Sequence, residues 1–188
     1  MKPTVLCAVV LALLSTMPAS AAQHWKVDYA RSKLGFTVSW SNQPFTAVFR
    51  SWKADIDFDP ADLAHSRASV TVNLASETSD DSETDDGIKG ADGFQVSQFP
   101  TALFRVASFT HAFGDRYVAT GTLSIKGLSR PITLPFTLTM SGATAHVVGK
   151  AVVLRTDFHV GTGEWAKADP VAYEVTVNVD LVASKSGT

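Results

Sequence analysis

With 188 residues, 16 basic and 18 acidic side chains and a formal net charge of −2, the chain lacks the basic footprint that nucleic-acid binding needs. It has no polybasic cluster of the kind that holds a protein on an anionic membrane. Its single cysteine, Cys7, lies in the first segment, so disulfides, thiolate catalysis and sulfur metal ligands are excluded downstream of it.

The chain opens on Met1-Lys2 and an uncharged apolar run, Thr4 to Leu14, followed by Pro18 and the small residues Ala19-Ser20-Ala21. An apolar helix of that length spans about 16 Å, too short for a hydrocarbon core of about 30 Å. The pattern predicts a secretory signal peptide over residues 1–22, cleaved after Ala21 or Ala22, and a periplasmic destination. Cys7 interrupts the apolar run, whereas a lipoprotein cysteine follows it, so lipidation is not expected. Removing Lys2 brings the net charge to −3, and residues 23–188 are enough for one domain held by a single apolar core.

From residue 32 onward apolar and polar residues alternate. Leu34, Phe36, Val38 and Trp40 share one parity, and residues 45–49 extend this first strand into a hairpin. Ala54-Ile56-Phe58 and Val70-Val72-Leu74 repeat the pattern, as do Ala102-Phe104-Val106, residues 117–125 and Ile132 to Met140. Residues 145–155 are apolar on both parities, so a strand is assigned there without an inner face. Val171, Tyr173, Val175, Val177, Val179 and Leu181 close the series. Short connections, such as Lys126 to Pro131, leave no room for helical crossovers, so the strands, about eight of them, pair antiparallel. Residues 76–99 are too long for a turn and predict a short helix packed at one end of the sheet, with Ile88, Phe94, Val96 and Phe99 facing inward. Alternation alone admits either a sandwich or a closed barrel.

Motifs for catalysis and metals are few. The acidic run Asp80 to Gly87, aligned from Asp81 as a calcium loop, puts Asp86 where glycine is needed and Asp92 where a bidentate glutamate belongs; a solvated acidic loop is expected instead. His24, His65, His111, His146 and His159 show no metal-ligand spacing, and no nucleophile-elbow or phosphate-loop signature is present. No catalytic residue, metal ligand or cofactor is assigned.

Five segments in order then resemble one family. These are Trp25-Lys26-Val27-Asp28 with Ser32 and Phe36; Asp55 to Pro60; Asp92 to Pro100 with Phe104; Gly121 to Gly127 with Arg130-Pro131-Ile132; and Arg155-x-Asp157-Phe158 with Gly161 and Glu164-Trp165. Together they resemble the YceI-like family of bacterial exported proteins, over nearly all of residues 25–183. Two positions depart from its pattern and bear on a ligand entrance. Val48-Phe49-Arg50-Ser51-Trp52 stands where the family has Gly-x-Phe, and His159 stands where it has glycine.

The resemblance implies an all-β fold, a lipocalin-like eight-stranded antiparallel β-barrel with a short helix between middle strands and an elongated apolar cavity. It further implies binding of a long-chain amphiphile, such as a polyisoprenoid, an isoprenoid quinone or a fatty acid or amide. A tail of that kind gains roughly 0.8 kcal/mol per buried methylene before association costs are subtracted. The candidate lining is Phe36, Val38, Phe49, Phe58, Phe94, Phe104, Leu123, Ile125, Phe136, Leu138, Phe158 and Tyr173; a solid core built from the same residues is the alternative. Arg155, Asp157 and Trp165 are headgroup candidates, with Asp28, Arg31 and Glu164 as further residues for the barrel mouth. A structural ion pair is the alternative for Arg155 and Asp157. The expected partner is a long-chain isoprenoid or fatty lipid, with no nucleic acid and no stable membrane insertion, and a homodimer is left open. The rival functions are an enzyme acting on a barrel-bound lipid, and a filled-core module partnering a quinone-handling membrane protein.

Overall fold

Two-residue turns set much of the strand pairing. Ser41-Asn42 and Lys126-Gly127 both hold positive φ at both positions (49° and 63°; 50° and 75°), the turn geometry that matches the twist of a tight hairpin. The computed structural model describes residues 22–186, so the segment expected to be a signal peptide, residues 1–22, lies outside the described residues as far as Ala21. In chain order the strands are β1 (His24–Val27), β2 (Lys33–Trp40), β3 (Gln43–Phe49), β4 (Trp52–Asp57), β5 (Arg67–Asn73) and β6 (Glu77–Thr78). Helix α1 (Ser82–Lys89) follows, and then β7 (Thr101–Phe113), β8 (Arg116–Ile125), β9 (Leu128–Ser141), β10 (Thr144–Leu154) and β11 (Val171–Lys185).

These pieces make eight strand positions. β1 and β2 are halves of one bent strand, since both pair with β11, at Trp25↔Lys185 and at Val38↔Val175. β3 and β4 form a second, paired with β2 and β1, while β5 and β6 form a third, paired with β4 and β3. The ring runs β1-β4-β5-β7-β8-β9-β10-β11 and returns to β1, antiparallel throughout. The all-β, eight-stranded antiparallel barrel is therefore the fold, and of the two architectures that alternation admits the closed one is adopted.

The acidic run is not a solvated loop. Asp81 caps α1, its carboxylate accepting from the backbone N–H of Glu83 and Thr84, and Glu83 and Asp85 fall in the first turn, where the helix dipole favours negative charge. Asp85 is buried, and its carboxylate accepts from Thr78 Oγ1, Ser79 N and Ser79 Oγ at 2.7–2.9 Å, tying α1 to the end of β6. Burial pushes the Asp85 carboxyl up, but the bonds from Ser79 and Thr78 outweigh it and hold the group below its ordinary value. Ile88 and Phe94 face inward as expected, and Val96 packs on the same cluster. Phe99 does not; it is half-buried, with its ring beside Gly127.

Two apolar clusters occupy opposite ends of the barrel. One is built on Trp25, Phe58, Ala119, Phe136 and Leu181, the other on Phe36, Val38, Leu74, Ile88 and Phe94.

Candidate functional site: an apolar cavity

A cavity of about 300 Å³ runs between the two clusters, at the small end of the range for ligand pockets. Strand parity decides its wall. Leu34, Phe36 and Val38 of β2, Ala119, Leu123 and Ile125 of β8, and Val175, Val177, Val179 and Leu181 of β11 all face it. In β10 the inner face is the odd one, with Ala145, Val147, Ala151 and Val153 on the wall and Val148, Val152 and Leu154 exposed outside.

Of the candidate lining residues, Phe36, Val38, Phe49, Phe58, Phe94, Phe104, Leu123, Ile125, Phe136, Leu138 and Phe158 stand on this wall. Tyr173 does not. It shares the inward parity of β11, but the β11–β2 register shifts between Val171 and Val175, and the extra residues carry Tyr173 outward. Its side chain is exposed, with the Arg155 guanidinium 5.3 Å from its ring centroid.

Arg155 reaches the wall but has no donor left for a headgroup. It is buried, and its Nε, Nη1 and Nη2 donate to the carbonyls of Ala172, Val160, Gly161, Lys167 and Val171 at 2.8–3.1 Å. It acts as a hub that pins residues 160–172 over one end of the barrel. Gly161 (φ 79°) is required there, because a Cβ would collide with Nη1 of Arg155. Asp157 does not pair with Arg155. Residues 155–158 form a 3-10 turn, not a strand end, which separates the two side chains, and Asp157 is half-buried off the wall. Trp165 is on the wall, edge-to-face with Trp40 at 5.7 Å, and a Cβ at Gly87 of α1 would meet its ring at 2.9 Å. Asp28 accepts from the N–H of Ala30 and Arg31 in a turn, and Glu164 is exposed.

The sequence did not single out the residues that lace this end shut. Lys126 Nζ donates to the carbonyls of Gly93 and His159 at 3.0 and 2.8 Å. Asp92 accepts from Thr162 Oγ1 at 2.6 Å through its carboxylate, and from Thr162 N and Gly161 N through its carbonyl. Glu77 is also hidden from a pattern search. Directly opposite Phe49 in the β3–β6 pair, it is 1% exposed, with no hydrogen bond to either carboxylate oxygen and Lys89 Nζ 4.0 Å away. Burial first, and Asp85 second, push its carboxyl up to about 7 against the pull of Lys89.

The opposite end is closed by rings. Phe58 meets Phe109, Tyr117 and Phe136 edge-on at 5.0, 5.8 and 6.3 Å, and Tyr117 stacks on Phe136 at 5.7 Å. Trp25 Nε1 donates to the Phe58 carbonyl at 2.8 Å and fixes the group to β1.

Ionisable residues on the wall are Lys33 and Arg155; Lys33 belongs to the outward parity of β2 and is exposed. All five histidines are exposed as well. The titratable pair that catalysis on a bound lipid would need is not formed here by Asp157 or Glu164 with a histidine.

Comparison with known proteins agrees with this geometry. The chain matches the YceI-like domain over residues 25–183. It is 26% identical to Protein YceI of Salmonella arizonae over 200 aligned positions, covering 98% of this chain and all of that one. The crystal structure of Burkholderia cenocepacia BcnA superposes with a TM-score of 0.82 at 36% identity, covering 85% of this chain and 100% of BcnA. A polyisoprenoid binding domain from Saccharophagus degradans, implicated in plant cell wall breakdown, shares the fold with a TM-score of 0.68 at 16% identity, covering 87% and 99% of the two chains. By sequence and by fold, the chain belongs to the YceI-like family.

Proposed function

We propose that the protein is exported to the periplasm and binds one long-chain amphiphile, with the tail in the barrel cavity, for carriage, storage or protection. The observation that carries this reading is a cavity of about 300 Å³ whose wall offers hydrocarbon, with the Arg155 guanidinium spent on backbone carbonyls and Lys33 on the outward parity of β2. Such a surface rewards an apolar chain at each methylene and leaves a polar head no partner inside. The polyisoprenoid-binding neighbour supports the ligand class, and the apolar run at residues 4–14 supports export. Binding, not catalysis, is the activity this interior suits.

Native mass spectrometry of protein purified from its own periplasm, followed by solvent extraction, tests the reading. The expected result is a protein mass starting near Gln23 with a bound lipid that extraction releases. Phe136→Asp and Leu123→Asp should abolish retention in folded protein, because each puts a carboxylate in the wall. A mature protein that retains no amphiphile, or folded variants that retain it as well as the parent does, would overturn the proposal.

A further inference from the structure

The junction between β9 and β10 is laddered for only part of its length. Rungs run from Thr144↔Ser141 to Gly149↔Phe136 and stop. β10 continues to Leu154, still paired with β11 as far as Leu154↔Glu174, and β9 reaches back to Leu128, still paired with β8 as far as Ile125↔Leu128. Among the described residues no rung joins 128–135 to 150–154. The chemistry of β9 accounts for the break. Ile125 and Leu128 close the two-residue turn as a hydrogen-bonded pair, and alternation from there leaves residues 131, 133 and 135 in non-hydrogen-bonded pairs with β8. Their backbone groups therefore face β10. Two of the three, Pro131 and Pro135, have no N–H to give, which is why proline is confined to strand edges.

This unlaced seam gives onto the cavity. Ile132 and Leu134 on one side, and Ala151 and Val153 on the other, belong to the cavity wall. Outside, the β10 lip carries two exposed apolar side chains, Val152 at 62% and Leu154 at 43%. Meanwhile the two ends of the barrel are obstructed, one by the rings around Phe58 and the other by the segments that Arg155, Lys126 and Asp92 lace together.

We propose that the seam between residues 128–135 and 150–154 is a lateral portal through which the tail of the bound amphiphile enters and leaves. The seam lacks the reciprocal backbone pairing of a ladder, so a chain passing there breaks fewer backbone hydrogen bonds than passage through a laddered wall would. Exposed Val152 and Leu154 give the tail an apolar step between its source and the cavity. The route selects slender, flexible chains over rigid polycyclic ones, and lets a charged head remain outside a wall that cannot receive it. The portal rests on the lipid-binding reading, which the experiment below separates from it.

Continuing the β9–β10 register sets Thr133 opposite Val152, so Thr133→Cys/Val152→Cys, joined by oxidation or a short bismaleimide, staples the seam. Thr139→Cys/His146→Cys staples the laddered part of the same junction as a control. Stopped-flow uptake of dansyl-labelled undecanoic acid is read for each. The seam staple should slow uptake and release about tenfold, reversibly for the disulfide, and the control should leave both unchanged. Equal rates in the stapled and unstapled seam variant overturn the portal. A second arm needs no ligand: native-state hydrogen exchange of the β10 amides that face β9. Those of Val152 and Leu154 should exchange at least about tenfold faster than those of Thr144, His146 and Val148, and equal protection overturns the seam itself. If the probe binds no form of the protein, the lipid-binding reading fails, and the exchange arm still decides whether the wall is unlaced.

Discussion

At one end of the barrel, Phe58, Phe109, Tyr117 and Phe136 close the bore by packing rings edge to face; at the other, closure hangs on two cations bonded to backbone carbonyls and on Asp92, whose carboxylate accepts from a hydroxyl and whose carbonyl accepts from two N–H groups. The first needs no loop to hold a particular shape, because its rings stand on strands or beside them. The second is made almost wholly of connecting segments, residues 90–99 and 155–172, whose backbone carbonyls must be satisfied from elsewhere. Arg155 and Lys126 supply that satisfaction. Burial lowers both from their ordinary values, with Tyr173 and Asp92 working against it. A ring cluster fails gradually as atoms are removed, whereas a hub of charge-assisted bonds fails as a unit.

Breaking the hub should show this contrast most strongly. Arg155→Met leaves five carbonyls without their donor and is expected to cost about 5 kcal/mol in urea unfolding. Hydrogen exchange should place the loss in 160–172 and leave β7 and β8 protected. Phe136→Ala at the ring end should cost about 4 kcal/mol and lengthen the cavity there, so that binding shifts toward longer fatty-acid probes.

A smaller effect comes from Glu77, under the laced end. Its carboxyl rises from 4.5 to about 7 on folding, so the folded chain holds this proton more tightly than the unfolded chain does. The contribution is complete below pH 4.5 and is lost as pH rises through about 7, a fall of about 3 kcal/mol. Glu77→Leu should abolish that part of the slope in urea unfolding measured across this window. An unchanged slope would show that Glu77 already meets water or a cation in solution.

Strands were legible in the sequence wherever one face is dry; parity turned Phe36, Phe58, Phe104 and Phe136 inward, but only the family resemblance favoured a lined cavity over a solid core. Tyr173 was misplaced because its apolar alternation continues unbroken through a register shift that only the partner strand reveals. Arg155 and Asp157 were misread because a spacing of two means a shared face in a strand but not in a 3-10 turn. Glu77 stood at the head of a polar run, and nothing local marks a two-residue strand that turns its side chain toward the apolar side. β10 has apolar residues on both faces, and its inner one is fixed by register with β11, a contact far away in the chain. Pro135 lies inside the segment that alternation assigned to a strand and Pro131 in the connection before it, and alternation does not register that neither has an N–H to give.

β11 is the longest strand and touches three others, β10 along one side and β2 and β1 along the other, joining Trp25 to Lys185. Until it emerges from the ribosome the sheet is an open ribbon with two free edges, and β10 on one side and β1 with β2 on the other wait for the same partner. Folding is therefore dominated by a late, long-range pairing, which makes it slow. The barrel is thus fastened by a clasp that is synthesised last, and the ring cannot close before that final segment is available to both of its neighbours.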